Sequence, residues 1–395
     1  MSYTYNGRLA PAVGSGLGGL PRRKTPDAGG SVSALSGAVF FGEASNTSTA
    51  NKRIWDNCLA KLTASKFLTV YFDNTSLNVT GVVSDVVRNG NSSSANQTVL
   101  SGLTAVNDLC VVGMTESSAM IVVLDGTTVK AGIVTISGQT ITANTFYTVA
   151  TGASGSICAE KNGDNDVVLA YSSSADATLS ATALTIAGTV VSANAVYSVI
   201  TGATGISNMS IIKSASGVFV CAYTVSGPQL RAVVMSVSGT VISFGSSALV
   251  TASTTSVRAG GSAIASDKII IGSSNASAQA FCCVLSLSGL AISVGSIFTF
   301  TAFGSVFTGG FVCGVSSDKS YAYFTGFSVD AFYVFTLDVV DTLSITARDF
   351  VNKIPSKAYS LSKLSCALIS DSIIAMASSN TSSTFARSIV TAKIA

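Results

Sequence analysis

Asp164 and Asp166 alternate in the stretch NGDNDV, the spacing at which the oxygen ligands of a calcium loop begin. Such a loop also needs a distal acidic residue to complete its oxygen shell, and none follows at that distance, so the stretch reads as a turn between strands. The chain has no histidine. This removes Ser-His-Asp and Cys-His catalysis, imidazole-ligated zinc and an imidazole pH switch. Nineteen acidic residues remain for paired-carboxylate hydrolysis. Most fall between apolar runs, where Asp stabilises the turn itself. Gly14, Gly16 and Gly19 spell GxGxxG in GSGLGG. However, LAPAV before it and LPRRKTP after it are not the strand and helix that aim backbone amides at a pyrophosphate. The expectation is a non-enzyme with no catalytic residue, no metal ligand and no cofactor.

Eight cysteines occur, at 58, 110, 158, 221, 282, 283, 313 and 366, and none forms a CxxC pair. Most lie in apolar runs such as DLCVVGM and FVCGVSS, and read as buried thiols packing as small hydrophobes. Disulfides formed after release from a reducing cell are the other reading. In a strand, adjacent Cys282 and Cys283 point to opposite faces, so at least one is expected to be less buried. Matches to Asn-x-Ser/Thr, such as Asn74, Asn91, Asn275 and Asn380, follow from the abundance of Ser and Thr.

Residues 1–30 differ in kind. They combine Gly and Pro with Tyr3, Tyr5, Arg8 and the cluster Arg22, Arg23, Lys24. One reading is a disordered tail. The other is an extended docking arm whose tyrosines give anchor area and whose basic cluster meets an acidic surface. The segment has no apolar stretch of the kind found in a secretory signal, which predicts synthesis and folding in a cytoplasm. No run of about 18 apolar residues occurs, so no membrane insertion by a helix is expected.

Charged residues are 10% of the chain and apolar residues 48%, against about 25% charged in an average domain. Ser, Thr, Ala, Gly and Val fill the difference, a profile of tightly packed β-structure with a hydroxyl-rich surface. The net charge of +3 is too small to imply nucleic-acid binding.

What positions these residues is a repeat. VTISGQTITANTFYTV (134–149) returns as LTIAGTVVSANAVYSV (184–199), and a strand ending at a small turn recurs at Gly138, Gly188, Gly239 and Gly289. The interval is about 50 residues, in the range of propeller blades. Each unit resolves into four β-branched runs separated by Gly, Asn, Asp and Ser. Units fall near 52–103, 104–154, 155–205, 206–255, 256–306, 307–358 and 359–395. The last lacks a fourth strand, while residues 31–45 hold a surplus one. A seven-bladed β-propeller, with residues 37–44 completing the last blade, accounts for both and removes exposed sheet edges. A stacked solenoid is the rival arrangement. The predicted domains are an arm over 1–30 and a propeller over 31–395.

Repeats such as VVLAYSSSADATLSATALTIAGTVVSANAVYSV and VVMSVSGTVISFGSSALVT resemble the blade repeats of virion proteins of tailed bacteriophages, including tail-fibre, tail-tip and nozzle-type components. The resemblance implies cytoplasmic synthesis, no cofactor, and assembly in multiple copies with other virion proteins in a symmetric particle. On it, the expected function is a structural virion protein, docked by its arm and displaying the propeller as a decoration or host-contact module, with host surface glycan among its partners. The alternatives are a glycan-binding propeller lectin or a protein-interaction scaffold. Against the lectin, no Trp or Tyr recurs at one site in every blade. Tyr147, Tyr197 and Phe298 partly do, but in apolar strands that read as blade core.

Overall fold

A computed structural model describes residues 40–44, 54–73, 76–87, 90–173, 177–203, 205–226, 229–254, 259–275, 277, 279–299, 309–319, 321–328, 331–341, 344–355, 361–370, 373–380 and 388–393. The arm over 1–30, with Tyr3, Tyr5, Arg8, Arg22, Arg23 and Lys24, lies outside the described residues.

Among those residues the strands form seven antiparallel sheets, with no helix. Sheet 1 holds Ile54–Lys61, Lys66–Asp73, Asn78–Val87 and Gly90–Ser93, with Gln97–Leu100 as a second outer segment. Sheet 2 holds Val106–Thr115, Ser118–Asp125, Thr128–Ser137 and Thr140–Thr151. Sheet 3 holds Ile157–Gly163, Asp166–Ser173, Thr178–Ala187 and Val190–Ile200. Sheet 4 runs from Ser207–Ala215 through Val218–Val225 and Gln229–Ser238 to a split outer strand, Val241–Phe244 and Ala248–Thr251. Sheet 5 repeats that plan from Gly260–Ala265 to Phe298–Thr299, and sheet 6 spans Gly309–Val315 to Ser344–Pro355. Sheet 7 joins Leu361–Ser370, Ile373–Asn380 and Ser388–Lys393 to Phe40–Ala44, with Phe40 opposite Ala392 and Phe41 opposite Thr391.

The second strand of each of sheets 1 to 5 is an almost unbroken apolar run, and it is buried along nearly its whole length. Both of its faces are covered, so the alternation of a half-exposed strand is lost. Outer strands such as Thr140–Thr151 alternate between exposed and partly buried positions. The glycines that marked the repeat open the hairpins between third and outer strands, at φ of 60° for Gly138, 64° for Gly188, 59° for Gly239 and 58° for Gly289. Glycine at the first position of a two-residue hairpin is the type II′ signature.

Successive first strands lie side by side, and Leu361–Ser370 in turn contacts Ile54–Lys61. The approach is close enough that a Cβ on Gly113 would strike the Lys61 carbonyl oxygen. Polar ties cross the same gaps. The Cys58 thiol donates to the Leu109 carbonyl at 2.7 Å. Asp108 accepts from the Ser156 hydroxyl at 3.0 Å and the Ile157 amide at 2.8 Å. Ser156 in turn accepts the Met209 amide at 3.2 Å. Lys161 donates to the Met114 carbonyl, and Lys213 to that of Asn162.

One expectation is corrected. Cys282 and Cys283 are both fully buried, because both faces of Ala280–Ser288 are covered through most of its length. Among the acids, Asp73, Asp108 and Asp125 are buried at strand positions, and Asp73 also holds the turn that follows it by accepting the Ser76 amide and hydroxyl.

Candidate ligand-binding site

The residues singled out for chemistry are placed first. Asp164 is an exposed turn residue paired with Lys161 at 3.0 Å, and Asp166 opens the strand that follows. Among the described residues no group of three or more His, Cys, Asp or Glu side chains could hold a metal. Tyr147 and Tyr197 are part-buried and pack against apolar clusters of their sheets.

A different set converges beside sheet 4. A cavity of roughly 340 Å³ is lined by the link Ile200–Ala203, by Tyr223 and Val225 of the second strand, by Arg231 of the third, and by Ser226 and Ser247. That volume falls within the range of about 300–1,000 Å³ typical of small-ligand sites. The chemistry is concentrated in one hydrogen-bonded group. Tyr223 is fully buried with the apolar cluster of sheets 3 and 4, and its hydroxyl lies 2.6 Å from the Ser247 hydroxyl. Ser247 also accepts from Nε of Arg231 at 3.0 Å, and Nη1 of Arg231 donates to Gln229 at 3.1 Å. Burial pushes the pKa of Tyr223 up, opposed by Ser247 and Arg231. Among the described residues no carboxylate pairs with Arg231.

Local sequence explains the placement. Tyr223 faces Arg231 across the antiparallel register of Val218–Val225 and Gln229–Ser238. The outer strand of sheet 4 breaks after Phe244, and Ser247 sits in that break. Gly245 makes the break feasible, since a Cβ there would collide with the Leu290 carbonyl of sheet 5. The lining thus combines the apolar side chains of Ile200, Ala203 and Val225 with one guanidinium and the hydroxyl residues Thr201, Ser226, Ser247 and Tyr223. Such a surface recognises a ligand that has both a nonpolar face and clustered oxygens.

The sequence reading did not single out Tyr223 or Arg231. A signal was present: Tyr71, Tyr171 and Tyr223 are each the sixth residue of the second strand in sheets 1, 3 and 4, within VYF, AYS and AYT. Tyrosine thus recurs at one site in three sheets, though not in every blade.

No family model matches the chain, and no curated protein matches it in sequence. In structure it is similar to a putative 6-phosphogluconolactonase from Bacteroides uniformis, with TM-score 0.53, 9% identity, and coverage of 75% of this chain and 86% of that one. It is similar to the Cps50 (Swd1) β-propeller domain of Myceliophteria thermophila, with TM-score 0.51, 9% identity, and coverage of 87% and 100%. A six-bladed β-propeller lectin from Aleuria aurantia, described with a fucose recognition mode of its own, matches at TM-score 0.47 and 10% identity, covering 78% and 97%. At these identities the first two likenesses show a β-propeller fold and nothing finer.

Proposed function

We propose that this chain is a non-catalytic glycan-binding β-propeller. The observation that carries the reading is the sheet-4 cavity, whose lining combines a guanidinium, hydroxyls and apolar side chains within a volume suited to a sugar residue. Sugars present this combination, with ring hydroxyls on the edges and C–H groups on a face. The cavity holds no acid pair flanking a bond to be cleaved, so its chemistry is recognition.

The architecture proposed with this function is a closed ring of seven blades. It is supported by the seven sheets, by the side-by-side first strands, and by the pairing of Phe40–Ala44 with Ser388–Lys393. The resemblance of the repeats further supports display on a tailed-phage particle, made in a host cytoplasm, with residues 1–30 as the docking arm and the propeller as the host-contact module.

A glycan array probed with the purified chain tests the binding reading. The expected outcome is retention of a defined subset of glycans, with loss of that binding in Tyr223→Phe combined with Ser247→Ala. An empty array, or binding unchanged in the double variant, overturns the assignment of this cavity.

A further inference from the structure

The repeat allows sheet 4 to be compared, position by position, with sheet 2. In sheet 2, Val123 pairs with Lys130 and Asp125 with Thr128. In sheet 4, Tyr223 pairs with Arg231 and Val225 with Gln229. Lys130 and Arg231 therefore hold the same register position, and so do Asp125 and Val225. The links agree: Gly102 before sheet 2 has φ of 72°, and Gly202 before sheet 4 has φ of 73°.

In sheet 2 the cation has an internal partner. Lys130 donates to Asp125 at 2.8 Å. Asp125 also accepts the amides of Thr104 and Ala105 and the Thr104 hydroxyl, each at 2.9 Å. Burial alone would raise its pKa, but the Ala105 amide, the Lys130 ammonium and the Thr104 groups outweigh that and hold it well below the usual carboxylate range. The site in sheet 2 is thus a carboxylate receptor already filled by the chain itself.

In sheet 4 the cation is kept and the carboxylate is gone. Val225 stands where Asp125 would stand, and the space beside it is the cavity. Among the described residues Arg231 has only the neutral acceptors Ser247 and Gln229, and a planar carboxylate is the partner that the geometry of a guanidinium fits best. Resting on the glycan reading of the same site, we infer that the cavity takes an acidic sugar residue, whose carboxylate pairs with Arg231 and replaces the internal one. Ser247, held from behind by the buried Tyr223, and the apolar side chains of the lining then contact the ring.

The test is calorimetric titration of the full chain with uronic- and sialic-acid oligosaccharides and with their methyl esters, which keep the ring and remove the charge. The acids should bind at least about tenfold tighter than the esters, as for a charge-assisted hydrogen bond. Arg231→Gln should abolish that preference, and Arg231→Lys should restore part of it. Val225→Asp should install the internal carboxylate and block the acids, a readout that holds even where Arg231→Gln fails to fold. Equal binding of acids and esters overturns the carboxylate inference and leaves the glycan reading standing. Undiminished acid binding by Val225→Asp does the same. Failure of every saccharide, neutral ones included, overturns both.

Discussion

Asp108 leaves its own sheet to accept the Ile157 amide of the next at 2.8 Å. The same oxygen takes the Ser156 hydroxyl, and Ser156 passes the connection on to the Met209 amide. Three successive sheets are thereby linked through two buried polar side chains. Apolar faces packed together resist separation but tolerate sliding; fixed donors and acceptors also set the register between neighbouring sheets.

Replacing Asp108 by Ala should therefore cost about 2–4 kcal/mol, because the stranded donors remain buried. Ser156→Ala should cost about 1–2 kcal/mol, and the double variant less than the sum, since the two act as one network. Urea unfolding of the four forms measures this. Additive effects below about 0.5 kcal/mol each would mean the linkage carries no stability.

Glu160 should give the protein an unusual pH profile. By register it occupies the position of Ala60, Val112 and Ile212 in sheets 1, 2 and 4. Burial raises its pKa from 4.5 to about 7, against the opposing Lys161 amide and the charge of Lys213. The folded form therefore holds its proton longer than the unfolded chain. Its contribution is complete below about pH 4.5 and is lost as pH rises to about 7. Glu160→Gln should flatten that decline and be the more stable form at pH 8 by roughly 1–3 kcal/mol. Melting temperature against pH for both proteins decides it.

The period was readable because it leaves local marks. Each hairpin needs a positive φ, so Gly138, Gly188, Gly239 and Gly289 keep the interval and the strand boundaries follow. The surplus strand near residue 40 was likewise legible, as an apolar run with no partner nearby in sequence. The cavity was not. Tyr223, Arg231 and Ser247 meet through cross-strand register and a break in the outer strand, and neither is visible in a one-dimensional string. The roles of Asp125 and Asp108 were hidden for a related reason: their donors come from other parts of the chain.

Cys58, Cys110, Cys158, Cys221, Cys282 and Cys283 are all buried. The first three also share one register position, opposite Val70, Val122 and Ala170. Burial pushes the Cys283 thiol up to about 12 and that of Cys282 well above its ordinary value. All six should resist a thiol reagent at pH 8 in the native protein and react on unfolding, because the thiolate is the reactive form. Rapid native labelling at any of them, located by peptide mass, would contradict the packing.

Gly113→Ala should destabilise by about 1–3 kcal/mol through overpacking alone, since the added methyl meets a backbone oxygen of the neighbouring sheet. Gly126→Ala, where the space for a Cβ is open but φ is 62°, should show strain without that collision. Crystal or hydrogen-exchange comparison separates the two: only the first should loosen the Lys61 region.

The pairing of Phe40–Ala44 with Ser388–Lys393 has a consequence for how the chain is made. Phe40–Ala44 can find its hydrogen-bond partner only after the six intervening sheets and Ser388–Lys393 have emerged. At about 5–20 residues per second, that interval is roughly 20–70 s. During it, the earlier sheets can form from contacts local in sequence while this segment stays without its native neighbour. A product that stops short of Ser388–Lys393 would be left with a raw sheet edge, the kind of surface that quality-control proteases and chaperones engage.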